Sequence, residues 1–165
     1  MSFPTEPIDA LPRVQEASFA RASSATREAF PKERRMDGAT LVTFLTTRRY
    51  CVLATVRPDG RPHAAPIAYA LVGTRFVFAS LPDAARVRNL QHTPHASIVV
   101  SEAEGDRHAV VLAEGTATIV PTLEAPLEWR EPFRDAEGSM PAWVGVIITV
   151  TTERLLSYAA EGFAV

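Results

Sequence analysis

The sequence predicts a mainly β domain whose short antiparallel strands close, or nearly close, into a barrel with helices at its periphery. Three observations predict it. Runs rich in β-formers recur at 50–57, 61–71, 75–80, 95–101, about 108–120 and in "WVGVIITVTTERLLSYAA", giving about six strands against two or three helices. The early joints are turn chemistry: "PDG" at 58–60, with a glycine able to take positive φ, and "VGT" at 72–74. Closure removes the unpaired edges that so many short strands would otherwise expose.

Residues 1–36 are the least orderly part, with Pro4, Pro7 and Pro12 followed by "ASFARASSATREAFPKERR". Helical pieces are expected between Leu11 and Phe30, but nothing there demands a core. The segment reads as a partly helical N-terminal arm that wraps a partner subunit or frays, leaving 37–165 as the barrel domain. Phe3, Ile8, Leu11, Val14, Phe19 and Phe30 in that arm need cover. Asp37 is placed to cap a helix over "GATLVTFLTTRR", where Leu41, Val42, Phe44 and Leu45 form an apolar stripe. Strands 50–57, 61–71 and 75–80 then follow as an antiparallel meander, a helix spans 82–91, and strand 95–101 leads through the acidic loop "EAEGD" into the two long final strands.

Composition removes several function classes. With 165 residues the chain supports one domain plus an arm, and a formal net charge of -2 supplies no basic excess for a nucleic-acid backbone. A single cysteine, Cys51, excludes an internal disulfide framework and suits a reducing cytoplasm. No run reaches the length of a membrane span, and the first residues carry neither a basic n-region nor an apolar h-region, so a cytoplasmic protein with no membrane partner is expected. GxxxxGK[ST], GxGxxG and GxSxG are all absent. His63, His92, His95 and His108 form no metal pattern, because Pro94 keeps His92 and His95 off one regular helix. Cys51, flanked by Tyr50 and Val52 in a strand, reads as a buried inert thiol.

What remains is the junction "FVFASLPDAARVRNL" at 76–90. Pro82 suits the first helical position, which would aim free N–H groups at the end of strand 75–80 and prepare an anion site. At about 100° per residue, Ala84, Val87 and Leu90 share the buried face while Arg86 and Arg88 flank it on opposite sides, so one anion is not expected to meet both. Asp83 in the first turn competes for the same positive helix end. A bland surface helix and a phosphate site are both compatible with these residues. Upstream, "HAAPIAYA" puts Ala64, Ala65, Pro66, Ala68 and Ala70 into one strand, where small side chains either let a flat ligand approach or fill a tight barrel interior.

The order of these pieces resembles the pyridoxamine 5'-phosphate oxidase-like flavin-binding split barrels over about residues 38–120: strand, "PDGRPH", strand, strand ending in Ser, helix with a basic residue and "NL", then a strand followed by "EGTA". The resemblance implies a six-stranded split barrel, a homodimer, and FMN or the related deazaflavin coenzyme at the subunit interface. It implies that His63, Ala64, Ala65, Pro66, Ile67, Ala68 and Tyr69 lie along the isoalloxazine, that Ala79 and Ser80 meet the phosphate, and that Arg86 is the basic phosphate ligand, followed by Arg88 and Asn89 in a common "RN". Ala85 stands where the pyridoxamine oxidases carry a second basic residue. The ending "LSYAAEGFAV" lacks their Arg-Leu-x-Pro, so vitamin B6 synthesis is not implied. A deazaflavin's acidic tail would also engage Arg57, Arg61 or Arg88.

The expected function is a flavin-dependent oxidoreductase moving two electrons to or from a small organic substrate, with no side chain required as acid or base. The alternatives are a non-catalytic flavin- or haem-binding or sensing barrel, and a dimeric interaction module without cofactor.

Overall fold

The computed structural model describes residues 6–104, 107–163 and 165. Phe3 and Pro4, named above, lie outside them, as do Gly105 and Asp106 of the acidic loop. In chain order a 3-10 turn (Ile8–Ala10) leads into α1 (Leu11–Arg21), α2 (Ser24–Ala29) and α3 (Gly38–Thr47). Then come β1 (Tyr50–Val56), β2 (Pro62–Ala68), β3 (Ala70–Val72), β4 (Arg75–Ser80), α4 (Ala85–His92), β5 (His95–Glu104), β6 (Arg107–Pro121), α5 (Leu127–Arg130) and β7 (Val146–Ala159).

The strands form one antiparallel sheet in the order β2-β1-β5-β6-β7-β4-β3. Its two edge strands, β2 and β3, are joined in the chain through the single residue Tyr69, so the sheet must roll until its ends meet. This is the antiparallel barrel architecture expected, with a correction in strand number: seven, because the expected strand 61–71 is broken at Tyr69. There the backbone N–H donates to Arg49 O at 2.9 Å and the phenol donates to Leu45 O at 2.7 Å, holding Tyr69 between the two ladders. The meander is corrected with it. β2 pairs with β1, whereas β4 pairs with β3 and β7. The "PDG" turn has the predicted chemistry, with Gly60 at φ 83°.

The interior holds Leu53, Phe76, Phe78, Ile98, Val111 and Ile148, with Leu41, Phe44 and Leu45 of α3 packed against them. Asp37 caps α3 by accepting from Thr40 N at 2.8 Å. The acidic stretch 102–104 continues β5 and is not a loop. A second cluster forms on the other face of β4 and β7, where Val77, Ala79 and Ile147 are covered by Trp129 and Val144 of the 121–145 excursion.

The expectation that nothing before residue 36 demands a core is also corrected: α1 packs on this chain's own β7, with Leu11 and Phe19 buried. Polar residues fasten it. Buried Gln15 donates to Met36 O at 2.8 Å and accepts from Ser157, and Ser18 Oγ accepts Leu155 N at 3.0 Å. That last bond takes up an N–H close to the irregularity at Glu114/Gly115, where Glu114 pairs Arg154 but Gly115 pairs Thr152.

Candidate functional site

The end of β4 builds the first half of the site. Strand alternation turns Phe76, Phe78 and Ser80 to the interior side and Val77 and Ala79 to the second cluster, so Ala79 packs beneath Trp129. The chain then makes a turn over Leu81–Ala84, closed by Ala84 N donating to Leu81 O at 3.2 Å. Pro82 therefore sits in a turn and not in the helix. α4 begins at Ala85, with Ala84 as an N-cap that supplies no side-chain acceptor, and Asp83 lies ahead of the cap.

Within α4, Val87 and Leu90 are buried as the spacing requires, and Arg86 and Arg88 diverge. Arg86 Nη1 donates to Ser80 Oγ at 3.0 Å. Ser80 is fully buried, so its hydroxyl holds the guanidinium from beneath, while Arg86 itself is half-buried. Among the described residues no carboxylate pairs with Arg86. A guanidinium that is partly desolvated, anchored on one side and unpaired in charge is a binding element for an anion.

The second half is an open apolar sheet face. Tyr50, Val52 and Val56 project outward from β1 and remain exposed. Their cross-strand neighbours on β2, Ala68, Pro66 and Pro62, are exposed too, as is Ala64 opposite Ala54. β2 ends the sheet on this side, and Pro66 there has no N–H to donate. Period-two alternation divides the predicted stretch His63–Tyr69. Ala64, Pro66 and Ala68 face outward, His63, Ala65 and Ile67 face the other way, and Tyr69 is buried in the core against Phe76 with ring centroids 5.2 Å apart. The first set is the exposed one, and a planar ligand can lie on it. Beside it a depression of about 430 Å3 is bordered by Ala54, Val56, Pro62, His95, Ser97 and Glu114.

A third feature lies on the far side of α4. A cavity of about 450 Å3 is lined by Arg57, Asp59, Arg61, His63, Arg88 and Asn89. Arg61 pairs with Asp59 at 2.7 Å, and the Arg88 guanidinium donates to Asp83 O. The carboxyl of Asp59 is held below its usual range by hydrogen bonds from Arg61, first from the side chain and then from the backbone. Asn89 is buried and donates to the buried Thr55 Oγ1 at 2.9 Å, which bolts α4 to β1. Cys51 is buried, and burial pushes its thiol up to about 12, which leaves no thiolate for chemistry.

A family model described as pyridoxamine 5'-phosphate oxidase matches residues 38–154, from α3 through most of β7. The chain belongs to the pyridoxamine 5'-phosphate oxidase family. Similar solved structures within the same fold include a conserved hypothetical protein from Mycobacterium tuberculosis (21% identity, 82% of this chain and 96% of that one, TM-score 0.65). An FAD-binding protein from Mesorhizobium loti is 21% identical over 78% of this chain and 97% of that one, with a TM-score of 0.61. The heme storage protein HutZ from Vibrio cholerae is 19% identical over 72% of this chain and 92% of that one, with a TM-score of 0.60.

The residues present have the chemistry a flavin requires: an arginine with no carboxylate partner among the described residues, and small outward side chains on β2. Sequence reasoning missed Gly145. Its N–H donates to Ser80 O at 3.1 Å, and its Cα abuts Pro82. A glycine just before a β-run carries no signal of either contact.

Proposed function

We propose that this protein is a flavin-dependent oxidoreductase that holds FMN with its phosphate at Arg86 and its ring against Ala64, Pro66 and Ala68. The observation that supports this most is the half-buried Arg86, anchored by buried Ser80 and without a carboxylate partner among the described residues. When bound, the flavin supplies the two-electron chemistry. The chain binds and orients it, and the 430 Å3 depression beside β2 leaves room for a small organic substrate. Anaerobic NADPH is expected to bleach the visible band of the FMN-loaded protein, and an admitted electron acceptor to restore it. Bound flavin that no donor reduces would leave the non-catalytic reading. That reading has one observation in its favour: His95 borders the same apolar depression, an arrangement suited to ligating haem, and a heme storage protein shares the fold.

The deazaflavin coenzyme is the alternative cofactor. Arg57, Arg61 and Arg88 line one 450 Å3 cavity, and its anionic tail would find three guanidiniums there.

The same reading makes the protein a homodimer. With Leu11 and Phe19 covered by the chain itself, a surface that asks for a partner is the outer face of β1 and β2, where Tyr50 is 70% exposed and Val52 and Val56 are exposed beside it. Light scattering at micromolar concentration is expected to give twice the chain mass; a monomer would remove the interface site.

A further inference from the structure

Gly145 stands where the 121–145 excursion meets the turn between β4 and α4, and two contacts tie it there. Its N–H donates to the carbonyl of Ser80 at 3.1 Å, and its own carbonyl accepts Thr122 N at 3.1 Å, fixing the excursion to the end of β6. A Cβ built on Gly145 would lie 2.7 Å from Pro82 Cδ and 2.9 Å from Pro82 Cγ, closer than carbon atoms pack. Gly145 is not among the positive-φ glycines, so its backbone admits alanine and the proline ring is what forbids it. The ring is stiff, and it belongs to the Leu81–Ala84 turn that joins Ser80 to the helix carrying Arg86.

We infer that Gly145 is a positioning residue for the anion site: its bare Cα lets Pro82 seat against the excursion, and that seat sets the spacing of Ser80 and Arg86. It touches no ligand. The inference rests on the reading of Arg86 as the phosphate partner.

The test compares FMN with riboflavin, which carries the same ring without the phosphate, by equilibrium titration of the whole protein. Gly145→Ala is expected to weaken FMN about fivefold while leaving riboflavin unchanged, since only the phosphate contact is displaced. Pro82→Ala removes the two ring atoms in collision and leaves Cβ at 3.5 Å, in ordinary contact with the methyl added at 145, which fills the space the ring leaves; the Gly145→Ala/Pro82→Ala protein is therefore expected to recover the original preference. An unchanged FMN preference in Gly145→Ala would overturn the inference, as would equal weakening of both flavins or failure of the double variant to recover. Should Gly145→Ala not fold, Pro82→Ala alone takes the same wall from the other side and is expected to reduce the FMN preference about threefold; no reduction overturns the inference. Arg86→Ala separates the two claims. If it abolishes the preference and Gly145→Ala does not alter it, this inference alone fails. If the unchanged protein binds FMN and riboflavin equally, the phosphate reading fails and takes the inference with it.

Discussion

Replacing Gly115 by alanine is expected to lower the free energy of unfolding by about 3 kcal/mol, at the upper end of what overpacking usually costs. A Cβ at this position would stand 1.8 Å from the backbone oxygen of Thr151 and 2.8 Å from its carbonyl carbon. No flexible side chain can move aside, because the obstacle is the main chain of β7. That strand is paired with β6 from Ala109 to Pro121, the longest ladder among the described residues. The register shift at Glu114/Gly115 brings the two backbones together here, and relieving the collision means displacing β7 beside Val150 of the core. Against a total stability of about 5–15 kcal/mol such a loss is readily measured. With a urea m-value of about 1–3 kcal/mol/M, the midpoint is expected to fall by at least about 1 M. A midpoint within experimental scatter of the parent would show that the bulge tolerates a side chain and that this account of the β6–β7 pairing is mistaken.

The second large effect is at the anion site. Arg86→Ala is expected to weaken FMN by about 1.5–3 kcal/mol, the worth of a charge-assisted hydrogen bond, or roughly ten- to hundredfold in dissociation constant. Arg88→Ala is expected to change FMN affinity by no more than about twofold, since Arg88 is exposed and points to the opposite side of α4, where its guanidinium donates to Asp83 O. The same pair of variants discriminates between cofactors. If the deazaflavin is the natural ligand, its tail in the arginine-lined cavity makes Arg88→Ala costly for that coenzyme and harmless for FMN, and added salt weakens the tail contacts by screening. Fluorescence titrations of both cofactors against the two variants decide it, and a larger loss of FMN in Arg88→Ala than in Arg86→Ala would contradict the helix orientation described above.

Much of the architecture was legible because it rests on local chemistry. "PDG" specifies a turn through Gly60, and Asp37 announces α3 by accepting from Thr40 N. The face of α4 follows from Val87 and Leu90 at helical spacing. The failures share one physical cause, which is tertiary contact overriding a local pattern. "HAAPIAYAL" reads as one strand, and only the bonds from Tyr69 to Arg49 and Leu45 break it in two. Pro82 suits a first helical position and a turn equally well, and the choice is made by the turn's own hydrogen bond and by Gly145 behind the ring. Gln15 and Ser18 look like surface polar residues, yet they are buried because β7 offers them Ser157 Oγ and Leu155 N. Within the candidate site, Arg86 donates to Ser80 Oγ, a contact that no spacing in the sequence announces, while Asn89 is bonded to Thr55 and the stretch His63–Tyr69 is divided by the strand's alternation.

The central claim is that one flavin spans two features of this barrel, the anchored guanidinium at the head of α4 and the small-residue face of β2. A crystal structure of the protein soaked or grown with FMN tests it most directly. The phosphate is expected within hydrogen-bond reach of the Arg86 guanidinium, with the isoalloxazine in van der Waals contact with Ala64, Pro66 or Ala68. An FMN bound elsewhere, or one whose phosphate is held by Arg57, Arg61 and Arg88 while Arg86 stays on Ser80, would contradict it.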